Sequence, residues 1–238
     1  APNEDQAVDS NLAFVSCQSY EQAHYGARAR MIADDLAAHD TEKIDFVLQL
    51  GDFIYERNWK KTYSGEPQPR SIPAFPDGVE TQHTRYAVSL ADYRHLYKTY
   101  LRDPHLQEAR ARWPFISIWD DHEFSNDNFQ SFSNYGATPT LDAQRKLNSN
   151  QAWFEFVPAA LDELEGQSAH GFKPAKLTGE EHSDNTSGQD SLRIYRALKW
   201  GKNLDIVLTD TRSYRSGPCV APDLAEHLKL PLNLSNFL

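Results

Sequence analysis

Cysteine is scarce in this 238-residue chain: Cys17 and Cys219 are its only two, too few for a disulfide scaffold. Methionine occurs once, at Met31. No apolar run approaches the ~18 residues needed to cross a bilayer, so no transmembrane segment is predicted. Positive charge is in the minority, with 24 Lys and Arg against 34 Asp and Glu and a net charge of −10. A field of that sign disfavours nucleic acid and anionic membranes as partners. It would also repel any anionic ligand unless cations reversed it locally. Internal repeats and low-complexity tracts are absent too.

What is present suffices for a packed core: 39% hydrophobic and 12% aromatic residues, with an ordinary 24% charged. The chain begins Ala1-Pro2 rather than Met, from which a removed leader is expected, and with a signal peptide a secreted or periplasmic location. Export would permit a Cys17–Cys219 disulfide, in competition with the metal role argued for Cys17 below.

Residues 12–16 read as a buried strand, Tyr20 to Asp40 as a helix with Ala23, Ala27, Met31, Ile32 and Leu36 on one face, and 44–50 as a second strand. Strand, helix and strand in so short a span predict a parallel βαβ unit. In such sheets, sites gather beyond the carboxyl ends of the strands. Residues 57–88 are polar and Pro-rich and read as a long surface insertion. Ser89 is placed to cap a helix running towards Arg112 with a break at Asp103-Pro104, and 114–119 reads as a third strand. A helix over 140–157, a loop over 165–190, a hairpin of 191–199 with 203–209, and a Pro-broken tail complete the α/β pattern.

Four strands end in polar residues: Ser16-Cys17-Gln18, Gly51-Asp52, Asp120-Asp121-His122-Glu123 and Asp210-Thr211-Arg212. One such Asp is ordinarily a cap or a turn residue. Four ends together, with a Cys, two adjacent Asp and a His, point to a site. A two-metal phosphoesterase needs a carboxylate bridging cations ~3.5–4 Å apart, and Asp52 after a glycine suits that role. Tyr55 reads either as a core aromatic beside Phe53 and Ile54 or as a phenolate ligand to a hard cation such as ferric iron. Cys17 would be a softer ligand on the same ion. Asp121 and His122 offer a second-metal ligand and a proton donor, unless Asp120 and Asp121 only cap the next helix. Asn126 and Asn128 could lend carbonyl oxygens to calcium. Arg212 and Arg215 could clamp phosphoryl oxygens.

Taken in order, Ser16-Cys17-Gln18-Ser19-Tyr20, Gly51-Asp52-Phe53-Ile54-Tyr55-Glu56, Trp119-Asp120-Asp121-His122-Glu123 with Asn126, and Asp210-Thr211-Arg212 resemble the PhoD-like phosphatases. The segment Ala152-Trp153-Phe154-Glu155-Phe156-Val157-Pro158 is similar to theirs as well. The resemblance implies a metallophosphatase-like β-sandwich of mixed sheets flanked by helices, incomplete in this chain. It implies a ferric ion (Fe3+) on Cys17, Asp52 and Tyr55. Calcium (Ca2+), or another divalent cation, would share Asp52 and take oxygens from the Asp121 and Asn126 region. Arg212 or Arg215 would bind the phosphate.

The expected catalytic domain covers residues 11–216, with a tail or linker from 217 to 238. The expected reaction is hydrolysis of phosphate monoesters or diesters by a metal-bound hydroxide, with His122 or a nearby acid protonating the leaving group. A phospholipase D-like phosphodiesterase and a secreted binding module with an incomplete metal site are the alternatives. The family's late Gly-Asp-x-His motif does not occur among the nine histidines. A second polypeptide carrying that motif is therefore the expected partner, alongside a phosphate ester substrate.

Overall fold

The computed structural model describes residues 2–22, 24–62, 65–135, 138–159 and 184–217. The tail beyond Gly217, and with it the Cys17–Cys219 pairing, lies outside the described residues.

The apolar tetrapeptide Leu12–Val15 forms strand β1, and helix α1 (Gly26–Ala37) leads to strand β2 (Phe46–Gln49). The strands pair in parallel, Leu12 with Phe46 through Val15 with Gln49, so the predicted βαβ unit is present. Helix α1 starts later than the expected Tyr20 because tertiary contacts hold the preceding residues. Tyr20 packs 5.4 Å from the Tyr100 ring, and the Tyr25 hydroxyl donates to the Gln18 carbonyl.

The expected structureless insertion over 57–88 instead carries strands β3 (Arg57–Trp59), β4 (Val79–Glu80) and β5 (Thr84–Tyr86), paired antiparallel in the order β3-β5-β4. Strands of two or three residues are too short to show a period, so composition alone made the segment look like loop. Ile72 and Ala87 anchor it in the main core.

Ser89 forms a capping box with Asp92 at the start of α2 (Leu90–Tyr100). Helix α3 (Pro104–Arg112) follows at the expected break, with Asp103 accepting from the Leu106 amide and Pro104 opening the helix. Strand β6 (Phe115–Ser117) enters beside β2 and completes a parallel sheet of order β1-β2-β6. Helices α1 and α3 cover one face, where Ile32, Val47, Ala109 and Trp113 cluster and Arg112 pairs with Asp35 at 2.5 Å.

Strands β7 (Phe132–Ser133) and β8 (Thr140–Leu141) form a small antiparallel pair. Helix α4 (Ala143–Phe156), capped by Asp142, packs on α2 around Tyr93, Leu96, Tyr97, Trp119 and Trp153. Part of the expected loop over 165–190 is helix α5 (Asn185–Gln189), capped by Asp184; residues 160–183 lie outside the described residues. Strands β9 (Arg196–Trp200) and β10 (Leu204–Leu208) make the expected hairpin, turning at Gly201 with φ of 63°. Its first strand starts later than expected because Leu192 and Ile194 go into the core.

Phe46 points away from Val47 by strand alternation and meets Trp200 at 4.5 Å, so the hairpin leans on the sheet's second face. The fold is thus mixed α/β, built of small sheets and helices. The expected sandwich of two mixed sheets is not completed among the described residues, where the central sheet of three strands is wholly parallel. Phe14 remains 71% and Val207 72% exposed, unusual for large apolar residues on packed strands. No helix among the described residues is long and apolar enough to cross a membrane.

Candidate metal centre

The chain leaves β1 and β2 through the same backbone conformation, for Cys17 and Asp52 both have φ of 54°. A left-handed non-glycine residue costs on the order of 1–3 kcal/mol, so surrounding structure must hold each one. The Cys17 amide donates to the Gly51 carbonyl (3.4 Å) and the Gln18 amide to the Asp52 carbonyl (3.2 Å), extending the parallel ladder past the strands. Buried Glu123 supplies the rest. Its carboxylate accepts from the amides of Asp52 (3.1 Å), Phe53 (2.5 Å) and Asp120 (2.9 Å), tying the ends of β2 and β6 together. Gly51 has φ of 100°, and a Cβ there would lie 2.5 Å from the Asp120 nitrogen, so only glycine permits this approach.

Three side chains meet on this scaffold. The Cys17 Sγ and the Tyr55 hydroxyl each lie 3.3 Å from Asp52 Oδ2. Tyr55 is therefore not a core aromatic like its buried neighbours Phe53 and Ile54. Asp52, Asp121 and His122 present ligand atoms within 4.8 Å of one another. The Asp121 carboxylate accepts from the Asp127 amide at 2.6 Å. His122 lies against the Tyr55 ring, centroids 4.1 Å apart, and its Nδ1 is 2.7 Å from Glu56 Oε2. Arg212 grips Asp120 with Nε (2.6 Å) and a terminal nitrogen (3.1 Å) and lies 3.5 Å from Asp121.

Crowded acidic groups disturb one another. Burial, with the charge of Asp52, pushes the Asp121 carboxyl up to about 6 and the Glu123 carboxyl up to about 8. Burial likewise raises the Cys17 thiol and, with Asp52 and Cys17 beside it, the Tyr55 phenol. Burial lowers His122, but Glu56, Asp121 and Asp52 outweigh it and carry the imidazole up to about 9. Burial also disfavours the Glu56 anion, yet His122, Tyr135 and Arg145 reverse the balance and hold it below the ordinary carboxylate range.

The residues fit a cation. Asp52 Oδ1 is buried without a hydrogen-bond partner, and so is Asn128 Oδ1. An orphaned carboxylate oxygen in a dry site costs free energy that a metal ion would recover. Thiol, phenol and carboxylate together form the donor set of a transition-metal site rather than of a plain hydrogen-bond network.

Cys17, Asp52, Tyr55, Asp121 and His122 are thus brought together, with Arg212 beside them. Asn126 donates from its side-chain nitrogen to Asp127 Oδ2 at 2.8 Å and from its backbone amide to Glu56, neither of which engages its side-chain oxygen. Asn128 is the asparagine with a buried, free oxygen. The Arg215 guanidinium makes no hydrogen bond to the cluster among the described residues, where the residue is held by its carbonyl through Gln130. Asp210 proves structural, accepting from the Trp119 indole (3.0 Å) and the Arg212 and Ser213 amides. Sequence reasoning missed Glu56 and Glu123 as functional positions. Their signal was a carboxylate embedded in otherwise apolar or ligand-bearing strand ends. For Tyr135 and Arg145, which contact Glu56, the sequence carries no such mark.

Fold and site together define an α/β protein with a cation-suited, arginine-flanked centre at the ends of parallel strands. Residues 12–230 match the profile of the PhoD-like phosphatases, and the chain belongs to that family. It is 28% identical over 204 residues to alkaline phosphatase D of Bacillus subtilis (strain 168), across 86% of this chain and 28% of that protein. A solved structure titled "Structure of PhoD" aligns with a TM-score of 0.62 at 25% identity, covering 91% of this chain and 35% of that one. The chain therefore spans about a third or less of the relatives it matches.

Proposed function

We propose that this chain forms part of the catalytic domain of a secreted, metal-dependent phosphoesterase. The observation that carries the reading is the meeting of Cys17 and Tyr55 on one carboxylate oxygen of Asp52, with Asp121, His122 and Arg212 around it. Ferric iron would be held by Cys17, Asp52 and Tyr55. Calcium would share Asp52 and draw on Asp121 and on the oxygen of Asn126 or Asn128. Such cations supply Lewis-acid stabilisation of phosphoryl charge and offset the repulsion expected of a −10 protein. Arg212 presents a planar fork to the phosphoryl oxygens once it shares its hold on Asp120. His122 delivers a proton to the leaving-group oxygen. Glu123 keeps the strand ends in register while this happens.

A second polypeptide segment carrying Gly-Asp-x-His belongs to the same reading. The exposed apolar side chains of Phe14 on the sheet and of Val207 on the outer face of the hairpin support further chain packed over them. Denaturing electrophoresis and intact mass of active enzyme should show this chain with, or continuous with, that segment.

The deciding experiment combines metal analysis with turnover of p-nitrophenyl phosphate, its bis ester and phosphatidylcholine. Hydrolysis of the first two with bound iron supports the reading. Preference for phosphatidylcholine selects the phospholipase D-like alternative. Metal-free protein that binds phosphate esters without cleaving them selects the binding module and overturns the proposal. Tyr55→Phe should retain the fold yet shift or abolish any visible absorption, since only the phenol oxygen is removed.

A further inference from the structure

We propose that Glu56 is the positioning residue of the site, a buried anion that holds His122 with Nδ1 protonated and Nε2 directed to the Asp52–Asp121 cluster. Glu56 is fully buried. One of its oxygens, Oε1, accepts from the Asn126 amide at 2.8 Å and from the Tyr135 hydroxyl. The Tyr135 oxygen in turn accepts from Arg145 at 2.8 Å, so its own proton is directed at Glu56. The other oxygen, Oε2, lies 2.7 Å from His122 Nδ1.

Each of these directions follows from donor chemistry. A backbone amide can only donate, Arg145 can only donate, and a carboxylate so surrounded is left with acceptor roles alone. Nδ1 therefore carries a proton, and Nε2 is the ring nitrogen left to face Asp52 and Asp121. Tyr55 lies against the ring, centroids 4.1 Å apart and planes tilted by 31°, and limits its rotation. Arg145, itself buried, places a compensating charge behind the network.

The consequence for turnover rests on the phosphoesterase reading. When the ring carries a second proton, Nε2–H can give it to the leaving oxygen as that oxygen's bond to phosphorus breaks, nitrogen keeping the bonding pair. The ring is then neutral with Nδ1–H still bonded to Glu56. Glutamine at position 56 removes this possibility. The Asn126 amide still requires an oxygen, so the new amide NH2 must face Nδ1, which then has to be unprotonated. His122 is left with a proton only on Nε2 and cannot release it without becoming an imidazolate.

The test uses the full chain as wild type, Glu56→Gln, His122→Asn and the double variant. Nitrogen-15 histidine spectra, with His122 assigned by its loss in His122→Asn, should show a protonated Nδ1 in wild type. The same nitrogen should be unprotonated in a folded Glu56→Gln. An unprotonated Nδ1 in wild type, or a protonated one in Glu56→Gln, overturns the proposal. This arm needs no turnover, so failure of the phosphoesterase reading stays distinguishable. Should Glu56→Gln not fold, the wild-type spectrum still decides. In the kinetic arm, Glu56→Gln should cost ~10²–10⁴-fold on alkyl phosphates, the range of general acid catalysis, and far less on p-nitrophenyl phosphate. Added to His122→Asn it should cost little more. Equal losses on every ester, additive with His122→Asn, would mark Glu56 as merely structural and overturn the proposal.

Discussion

The Cys17 Sγ and the Asp52 Oδ2 stand 3.3 Å apart across neighbouring parallel strands, each on a left-handed residue with φ of 54°. Strain of this kind persists only where the surroundings over-determine it. Here the surroundings are the ladder bonds beyond the strand ends and the three amides held by Glu123. The backbone is bent at both ends so that two ligand-type side chains face one point.

Asp52 is the residue on which the centre depends most. Asp52→Asn keeps the shape but removes the charge, so bound metal should fall and turnover should drop by about 10²–10³-fold, the scale of losing one preorganised electrostatic contact. Elemental analysis beside phosphatase assays checks both. Unchanged metal and rate would reduce Asp52 to a turn residue.

Arg212 holds Asp120 with two nitrogens in a fork that lysine cannot reproduce. Arg212→Lys should raise KM for a phosphate monoester about tenfold, equivalent to about 1.4 kcal/mol, with a smaller effect on kcat. Arg215→Lys should change KM less. The reverse order in steady-state kinetics would transfer the phosphate-binding role to Arg215.

Gly51→Ala tests the close approach of the strand ends. Its φ of 100° and the 2.5 Å contact of a new Cβ with the Asp120 nitrogen both oppose alanine. A loss of about 1–3 kcal/mol is expected, read from the urea midpoint. Metal affinity should weaken in parallel, because the strand ends that carry Asp52 and Asp121 move apart.

Stability should depend on pH through Glu21, away from the metal centre. Burial pushes its carboxyl up to about 7, against the lowering influence of the Trp59 amide and Arg85. The folded chain therefore holds this proton more tightly than the unfolded one. Stability from this group is present below the ordinary value of 4.5 and is lost as pH rises to about 7. Glu21→Gln, neutral throughout, should melt at a higher temperature than wild type at pH 8 and close to it at acidic pH. A wild type that loses no stability over that interval relative to Glu21→Gln would show Glu21 to be charged without penalty.

Much of this architecture was written locally. The apolar runs at 12–15, 46–49 and 115–117, the Ser89 and Asp103-Pro104 helix starts and the turn at Gly201 were legible because each depends on neighbours in the chain. That Cys17, Asp52, Asp121 and His122 gather was expected as well, since parallel strands put their carboxyl ends at one edge, whereas residue type left Tyr55 open between the core and the cluster. Tertiary structure alone decided the rest. The strands of 57–88 are too short to carry a period and are set by pairing and by Ile72 in the core. That Asn128 rather than Asn126 keeps a free buried oxygen depends on how one turn folds. Above all, Glu56 reaches His122, 66 positions away, and Tyr135, 79 positions away, and is held ionised against its burial by His122 first, then by Tyr135 and Arg145. Residue type can mark a carboxylate as out of place in an apolar segment, but its partners come from distant parts of the chain. The charge it carries is set by the burial and the donors that only the packed fold supplies.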